Sequence, residues 1–149
     1  MLPRTVRYAL SAMTVMARRE PDLLPVSDMA RELELPANYL SKTLDRLRTA
    51  GMVEAVRGRS GGFRLARPAG TMVLADIARA LDSLDAEGEC LMGPGNCGDV
   101  GGCPLHHSWK AASGPAFAFL NRHTLADVAG APAPWPPPNP GTPTQGVIE

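Results

Sequence analysis

The stretch Leu47-Arg48-Thr49-Ala50-Gly51-Met52-Val53-Glu54-Ala55-Val56-Arg57-Gly58-Arg59-Ser60-Gly61-Gly62-Phe63-Arg64-Leu65 decides the fold. It opens as the end of a helix, and Gly51 stands where a glycine in the left-handed conformation closes one. Met52 to Arg57 alternates in character and reads as a strand, Gly58 to Gly62 as a turn, and Phe63 to Ala66 as a second strand ended by Pro68. A helix followed directly by such a hairpin is a helix with a wing. Arg57, Arg59, Arg64 and Arg67 put four positive charges on or beside it, opposed only by Glu54.

Upstream lie three helical stretches. Residues 5–19 carry Val6, Leu10, Met13 and Ala17 on one stripe, and Pro21 and Pro25 close the element. Ser27 is the expected cap of a short helix over Asp28 to Glu34, with Met29, Ala30 and Leu33 facing inward. Glu34-Leu35-Pro36 is a break. A third helix is expected from Ala37 to Ala50, burying Leu40, Thr43, Leu44 and Leu47 and turning Asn38, Ser41, Lys42, Asp45, Arg46 and Thr49 outward. Two short helices around a tight break are equally a helix-turn-helix or an ordinary helical hairpin. The basic wing that follows favours the first. Such modules set the N-terminus of the second helix in the major groove and let the wing touch phosphate or the minor groove. Asn38, Tyr39 and Lys42, at the start of that helix, are the expected base or phosphate contacts. Asn38 has the amide that pairs with adenine, and Lys42 a donor for guanine or phosphate. Arg57 and Arg59 are the expected wing contacts.

Charge supports this division. Residues 1–70 carry twelve Lys/Arg against seven Asp/Glu, and residues 71–149 three against eight, within a formal net charge of zero. A basic first half suits a polyanionic partner. No apolar run is long enough to span a bilayer, and no signal-peptide pattern follows Arg4 and Arg7, so a cytoplasmic protein without a membrane partner is expected. No catalytic constellation or phosphate loop is present, which argues against an enzyme.

Downstream, Thr71 to Leu84 reads as an amphipathic helix with Leu74, Ile77, Ala78 and Leu81 on its stripe. All three cysteines follow: Cys90, Cys97 and Cys103, with His106 three residues after the last. Five glycines and a proline lie between the thiols, and no regular element is expected there. An odd cysteine count in a reducing compartment argues against disulfides. Three soft sulfur donors and an imidazole on a compliant loop suit either an iron–sulfur cluster or a Cys₃His zinc site. The fourth ligand is open between His106 and its neighbour His107, with Asp99 or a partner-chain group as the remaining choices. From Pro104 to Asn121 the pattern is helical, with Pro104 in the first turn. Leu105, Trp109, Ala112, Ala116, Phe119 and Leu120 form an apolar face, and Gly114-Pro115 is expected to kink or split the helix. Thr124 is the expected cap of a final helix, Leu125 to Ala129. Seven of the last twenty residues are proline, so 130–149 is expected to be an extended or disordered tail. The chain thus divides into a DNA-binding unit at 1–70, a helix–cysteine-loop–helix unit at 71–129 and the tail.

This order of parts resembles the bacterial iron–sulfur winged-helix transcription regulators of the IscR, NsrR and RirA type. The resemblance covers roughly residues 1–129. It is carried by Arg7-Tyr8-Ala9, Asn38-Tyr39-Leu40, Leu47 to Val53, the arginine–glycine wing from Val56 to Leu65, the three cysteines, and Thr124-Leu125-Ala126-Asp127-Val128. It is strongest to the IscR branch, through Cys103-Pro104-Leu105-His106 and Trp109. The resemblance implies a mainly α, winged helix-turn-helix fold with a two-stranded wing, a cysteine loop and a C-terminal dimerisation helix. It implies a homodimeric regulator, most simply a repressor, that binds a palindromic double-stranded operator under control of a 2Fe–2S cluster on Cys90, Cys97, Cys103 and His106. Members with a 4Fe–4S cluster take an acidic ligand from near the partner's N-terminus. Tyr8 and its neighbours are not acidic, which favours 2Fe–2S. The chain departs from the IscR pattern in a longer gap between Cys90 and Cys97, in Ser41-Lys42 where that branch has an acid and a glutamine, and in Gly114-Pro115. Dimerisation is expected around Trp109, Phe117 and Phe119. The alternative is a winged-helix protein with structural zinc at the same residues and no sensing role.

Overall fold

The computed structural model describes residues 2–81 and 103–131, together with the backbone of two short strands at 89–90 and 93–96. Helix α1 spans Arg4–Arg18, α2 Val26–Glu32 and α3 Ala37–Thr49. Strands β1, Val53–Val56, and β2, Gly62–Leu65, follow. After a single 3₁₀ turn, Ala69–Thr71, come α4, Leu74–Arg79, then β3, Glu89–Cys90, and β4, Gly93–Asn96. Helices α5, His106–Arg122, and α6, Leu125–Ala129, complete the described chain.

The three-helix unit forms as its apolar spacing dictates. Val6, Ala9, Met13 and Met16 of α1, Met29 and Ala30 of α2, and Leu40, Leu44 and Leu47 of α3 are buried in one cluster. Burial of each large aliphatic side chain contributes roughly 1.5–3 kcal/mol. Ser27 does not cap α2. The helix starts earlier, at Val26, with Pro25 at the cap position and no side-chain bond there. Pro25 supplies a helix-compatible φ of −61° and lets the chain enter directly. Between α2 and α3, Glu34 adopts φ 53°, a left-handed turn, and the Leu35 N–H donates to Ala30 O at 2.8 Å. Helix α3 ends in a Schellman motif: Met52 N–H reaches Leu47 O at 2.9 Å and Gly51 N–H reaches Arg48 O at 3.0 Å, with Gly51 at φ 72°. Buried Met52 then seats the chain so that β1 leaves in register.

The wing is an antiparallel pair with Val53 opposite Leu65, Glu54 opposite Arg64, Ala55 opposite Phe63 and Val56 opposite Gly62. Val53 and Leu65 point into the core, while Glu54 and Arg64 pair on the outer face. The wing has a third backbone partner that the alternation of apolar residues does not reveal. Leu24 exchanges both bonds with Phe63, at 2.9 and 2.8 Å.

The second half closes on the same core. Leu74, Ile77, Ala78 and Leu81 are buried, as their spacing predicts, but α4 begins at Leu74 rather than Thr71, because Thr71 belongs to the 3₁₀ turn. It also ends at Arg79, with Ala80 at the C-cap and a turn at 80–81, short of the expected Leu84. The cysteine segment does hold a regular element: β3 pairs antiparallel with β4, Glu89 opposite Asn96 and Cys90 opposite Gly93. So short a pair needs few backbone bonds, and with one neighbouring strand Pro94 can face the open edge. Helix α5 runs unsplit through Pro115, and it begins at His106, after a turn at Pro104–Leu105. Pro115 lies on the exposed side, as does Ala111, whose carbonyl would otherwise take the bond that proline lacks, so neither disturbs the core. Thr124 caps α6 through a full capping box with Asp127. Beyond Ala131 the proline-rich tail lies outside the described residues.

Candidate nucleic-acid interface and metal-ligand segment

Helix α3 exposes Asn38 and Lys42 on the side opposite Leu40 and Leu44, with Ser41 half-buried. Its first turn carries no acidic residue, so the positive end of the helix dipole is not neutralised there. Tyr39 is placed differently. Its hydroxyl hydrogen-bonds the hydroxyl of Thr5 on α1, and its ring meets Tyr8 edge-on at a centroid distance of 5.5 Å. It remains 40% exposed. The side chain therefore docks α3 on α1 while leaving one ring edge outward. Thr5 is a residue that sequence reasoning missed, because a lone threonine in a first helical turn carries no signal of a distant partner.

On the wing, Arg57 and Arg59 are exposed on either side of Gly58, whose φ of 117° turns the chain at a position where an L side chain would be strained. Gly61 N–H closes the turn on Gly58 O at 3.0 Å.

Ion pairing sorts the cations into two groups. Arg19 pairs with Glu32 at 2.6 Å, Arg31 with Asp28 at 3.0 Å, Arg48 with Asp45 at 3.3 Å and Arg79 with Asp76 at 2.9 Å. Arg64 is held by Glu54 across the wing. Lys42, Arg57, Arg59 and Arg67, like Arg4 and Arg7 on α1, pair with no carboxylate among the described residues. Uncompensated cations at the head of α3 and the tip of the wing leave a positive surface to which phosphate can bind without displacing an internal partner.

Of the metal-ligand set, Cys103 is exposed, and its carbonyl accepts the His106 N–H at 3.2 Å. A thiol and an imidazole thus share one turn at the head of α5. His106 is half-buried, His107 exposed, and the two rings meet edge-on at 5.2 Å. Cys90 lies in β3, its side chain outside the described residues, as is all of Cys97. The two ligand candidates that are described supply soft sulfur and borderline nitrogen, a donor pair that fits iron–sulfur or zinc chemistry.

The apolar face of α5 splits. Phe117 and Leu120 pack against the chain's own core, whereas Leu105 is 49% and Phe119 50% exposed. Phe117 therefore belongs to the internal face and not to the outward one. No residue of this 17-residue helix is fully buried. The C-terminal end is tied back by Leu74 N–H to His123 O at 2.9 Å, Leu125 N–H to Met72 O at 2.8 Å, and Arg79 to the Asn121 side chain at 3.0 Å. Arg18 of α1 adds bonds to the carbonyls of Ala129 and Ala131 at 3.0 and 2.7 Å.

Comparison with known proteins is decisive for the class. A family model described as Rrf2, iron-dependent transcriptional regulator, matches residues 2–131. The chain belongs to the Rrf2 family. It is 34% identical over 124 residues to the HTH-type transcriptional regulator IscR of Enterobacter sp. (strain 638), covering 82% of this chain and 75% of that one. The match to IscR of Citrobacter koseri has the same identity and coverage. Among solved structures, the global cysteine regulator CymR of B. subtilis superposes with a TM-score of 0.71 at 23% identity, over 87% of this chain and 95% of that chain. IscR of T. potens superposes with 0.68 at 24% identity, over 85% and 84%. These likenesses establish the mainly helical winged fold of an Rrf2 protein. As an Rrf2 protein the chain is a DNA-binding transcriptional regulator and not an enzyme. Among the described residues no helix is long and apolar enough to cross a membrane.

Proposed function

We propose that this Rrf2 regulator is a homodimeric repressor whose operator affinity is set by an iron–sulfur cluster, 2Fe–2S rather than 4Fe–4S. The observation that carries the reading is the placement of Cys103 and His106 on one turn at the head of a helix whose far end is bonded to α4. Cys90, Cys97, Cys103 and His106 would hold the cluster. Half-buried His106 is favoured over exposed His107, because its position is constrained by its own domain. When bound, the cluster supplies a charge and an occupancy that respond to iron, redox state or nitric oxide. Helix α5, about 25 Å long, then acts as a lever between that loop and the contacts at Met72, Leu74 and Arg79. A change in how its head is held alters the setting of α4 and α1, and with it the separation of the two recognition helices in a dimer. The outward strip at Leu105 and Phe119 is the proposed dimer contact.

Each α3 enters a major groove of a palindromic half-site. Asn38 reads an adenine edge, Lys42 a guanine or phosphate, and the ring edge of Tyr39 lies against the backbone. Arg57 and Arg59 reach phosphate or the minor groove. Anaerobic metal and sulfide analysis with visible absorption tests the cofactor: iron with acid-labile sulfide and charge-transfer bands is expected. Colourless protein holding zinc, with operator binding independent of iron, would overturn the sensing role. Alanine at all three cysteines should change the binding isotherm on operator DNA at matched salt, and an unchanged isotherm removes the switch.

A further inference from the structure

The cations at the start of α1 have no part in the interface derived above. Arg4 and Arg7 are both exposed, three residues apart, and neither meets a carboxylate among the described residues. No acidic residue precedes Glu20 in the sequence. Their placement runs against local helix energetics. Cations in a first turn oppose the macrodipole, at roughly 0.3–1 kcal/mol each, and like charges three or four apart repel. The short helices α2, α4 and α6 follow the opposite rule, with Asp28, Asp76 and Asp127 in their first turns. A local rule broken at an exposed position, with no internal compensation, points to an external anion.

The position of that anion follows from Tyr39. Thr5 and Tyr8 are the α1 residues that meet it, through a hydroxyl bond and an edge-on ring contact. At about 100° per residue, Arg4 lies about 40° from Tyr8 around the helix, and Arg7 about 100°, both turned away from buried Val6 and Ala9. The first turn of α1 is thus joined to the first turn of α3, and exposed Arg4 and Arg7 put two cations on the element that docks against the helix carrying Lys42.

We infer that Arg4 and Arg7 bind phosphates of duplex DNA beside the half-site read by α3, making α1 a third contact element besides the recognition helix and the wing. Guanidinium groups suit this role because they bind phosphate oxygens in a bidentate way. Such contacts position the protein without reading sequence. The inference rests on the reading that α3 and the wing face DNA.

The test is the salt dependence of binding of the full-length protein to a random-sequence duplex and to operator DNA, for Arg4→Ala, Arg7→Ala, Lys42→Ala, Arg59→Ala and Lys110→Ala. Each α1 substitution should flatten the slope of log K against log salt by about 0.9 per protomer and weaken binding about fivefold per protomer at about 0.15 M salt. The loss should be the same on both DNAs. Lys110→Ala, on α5, should leave the slope unchanged. Thermal denaturation of each variant confirms that the fold is retained. Unaltered slopes for Arg4→Ala and Arg7→Ala, with Lys42→Ala and Arg59→Ala weakened, would overturn the α1 contact alone. Unaltered slopes for all of them would overturn the placement of α3 and the wing as well.

Discussion

The hydroxyl of Tyr39, at the start of the recognition helix, is hydrogen-bonded to the hydroxyl of Thr5, in the first turn of α1. Two helix starts that are 34 residues apart in sequence are thereby held together. Tyr39→Phe keeps the ring contact with Tyr8 and loses only this bond. It should cost about 0.5–1.5 kcal/mol in urea unfolding. A variant with unchanged stability and a large loss of DNA affinity would mean instead that the hydroxyl works on DNA and not between the helices.

Gly62 is the point at which the wing touches the segment before α2. A Cβ there would stand 2.6 to 2.9 Å from the backbone of Leu24. Backbone cannot yield as a flexible side chain does, so Gly62→Ala must break the Leu24–Phe63 exchange or bend β2. Overpacking of this kind costs about 1–3 kcal/mol. Denaturant unfolding measures that loss, and hydrogen exchange at the Leu24 and Phe63 amides should rise with it. Protected amides in a variant of full stability would contradict the close approach.

The α6 cap makes stability depend on acid pH. Asp127 accepts the Thr124 N–H at 2.8 Å and faces its hydroxyl and His123. The backbone bond first, then the hydroxyl and the His123 charge, hold its carboxyl below the ordinary value of 3.8. A carboxyl depressed in the folded state stabilises above its unfolded value, and that contribution disappears as pH falls through the folded value. The melting temperature of Asp127→Asn should therefore lie below that of the parent protein at neutral pH, and the gap should close below pH 3.8. A gap that persists undiminished in stronger acid would exclude the carboxylate as its source.

Phe119 is half exposed on a helix that has no fully buried residue. On the proposed subunit contact through α5, Phe119→Glu should shift the protein from dimer to monomer in sedimentation velocity and lower operator affinity by roughly tenfold or more, because two half-sites are then no longer bound as one. The monomer should retain its helical circular dichroism, since Phe117 and Leu120 still pack on the core. A Phe119→Glu protein that stays dimeric would move the subunit contact elsewhere.

Much of this molecule was legible from spacing alone. The buried faces of α1, α3 and α4 follow helical periodicity, and Gly51 and Thr124 end and begin helices by local chemistry. Ser27 misled because two elements competed for the same cap, and Pro25 started the helix first. Gly114-Pro115 misled because a proline penalises a helix through its missing N–H and its ring, and both fall here on the solvent side.

By itself, the sequence determined what depends on neighbours within a few positions: the helices, their stops, the two-stranded wing and its charge, and the Cys103–His106 turn. Tertiary structure alone decided which side chains are already engaged. It committed Tyr39 to Thr5, Arg64 to Glu54, Arg79 to Asn121 and Phe117 to the core, and left Arg4, Lys42, Arg57 and Arg59 without carboxylate partners among the described residues. The physical reason is range. Periodicity and capping act over one or two turns, whereas these partners are brought together only when the core closes, across 34 residues of chain for Tyr39 and 42 for Arg79.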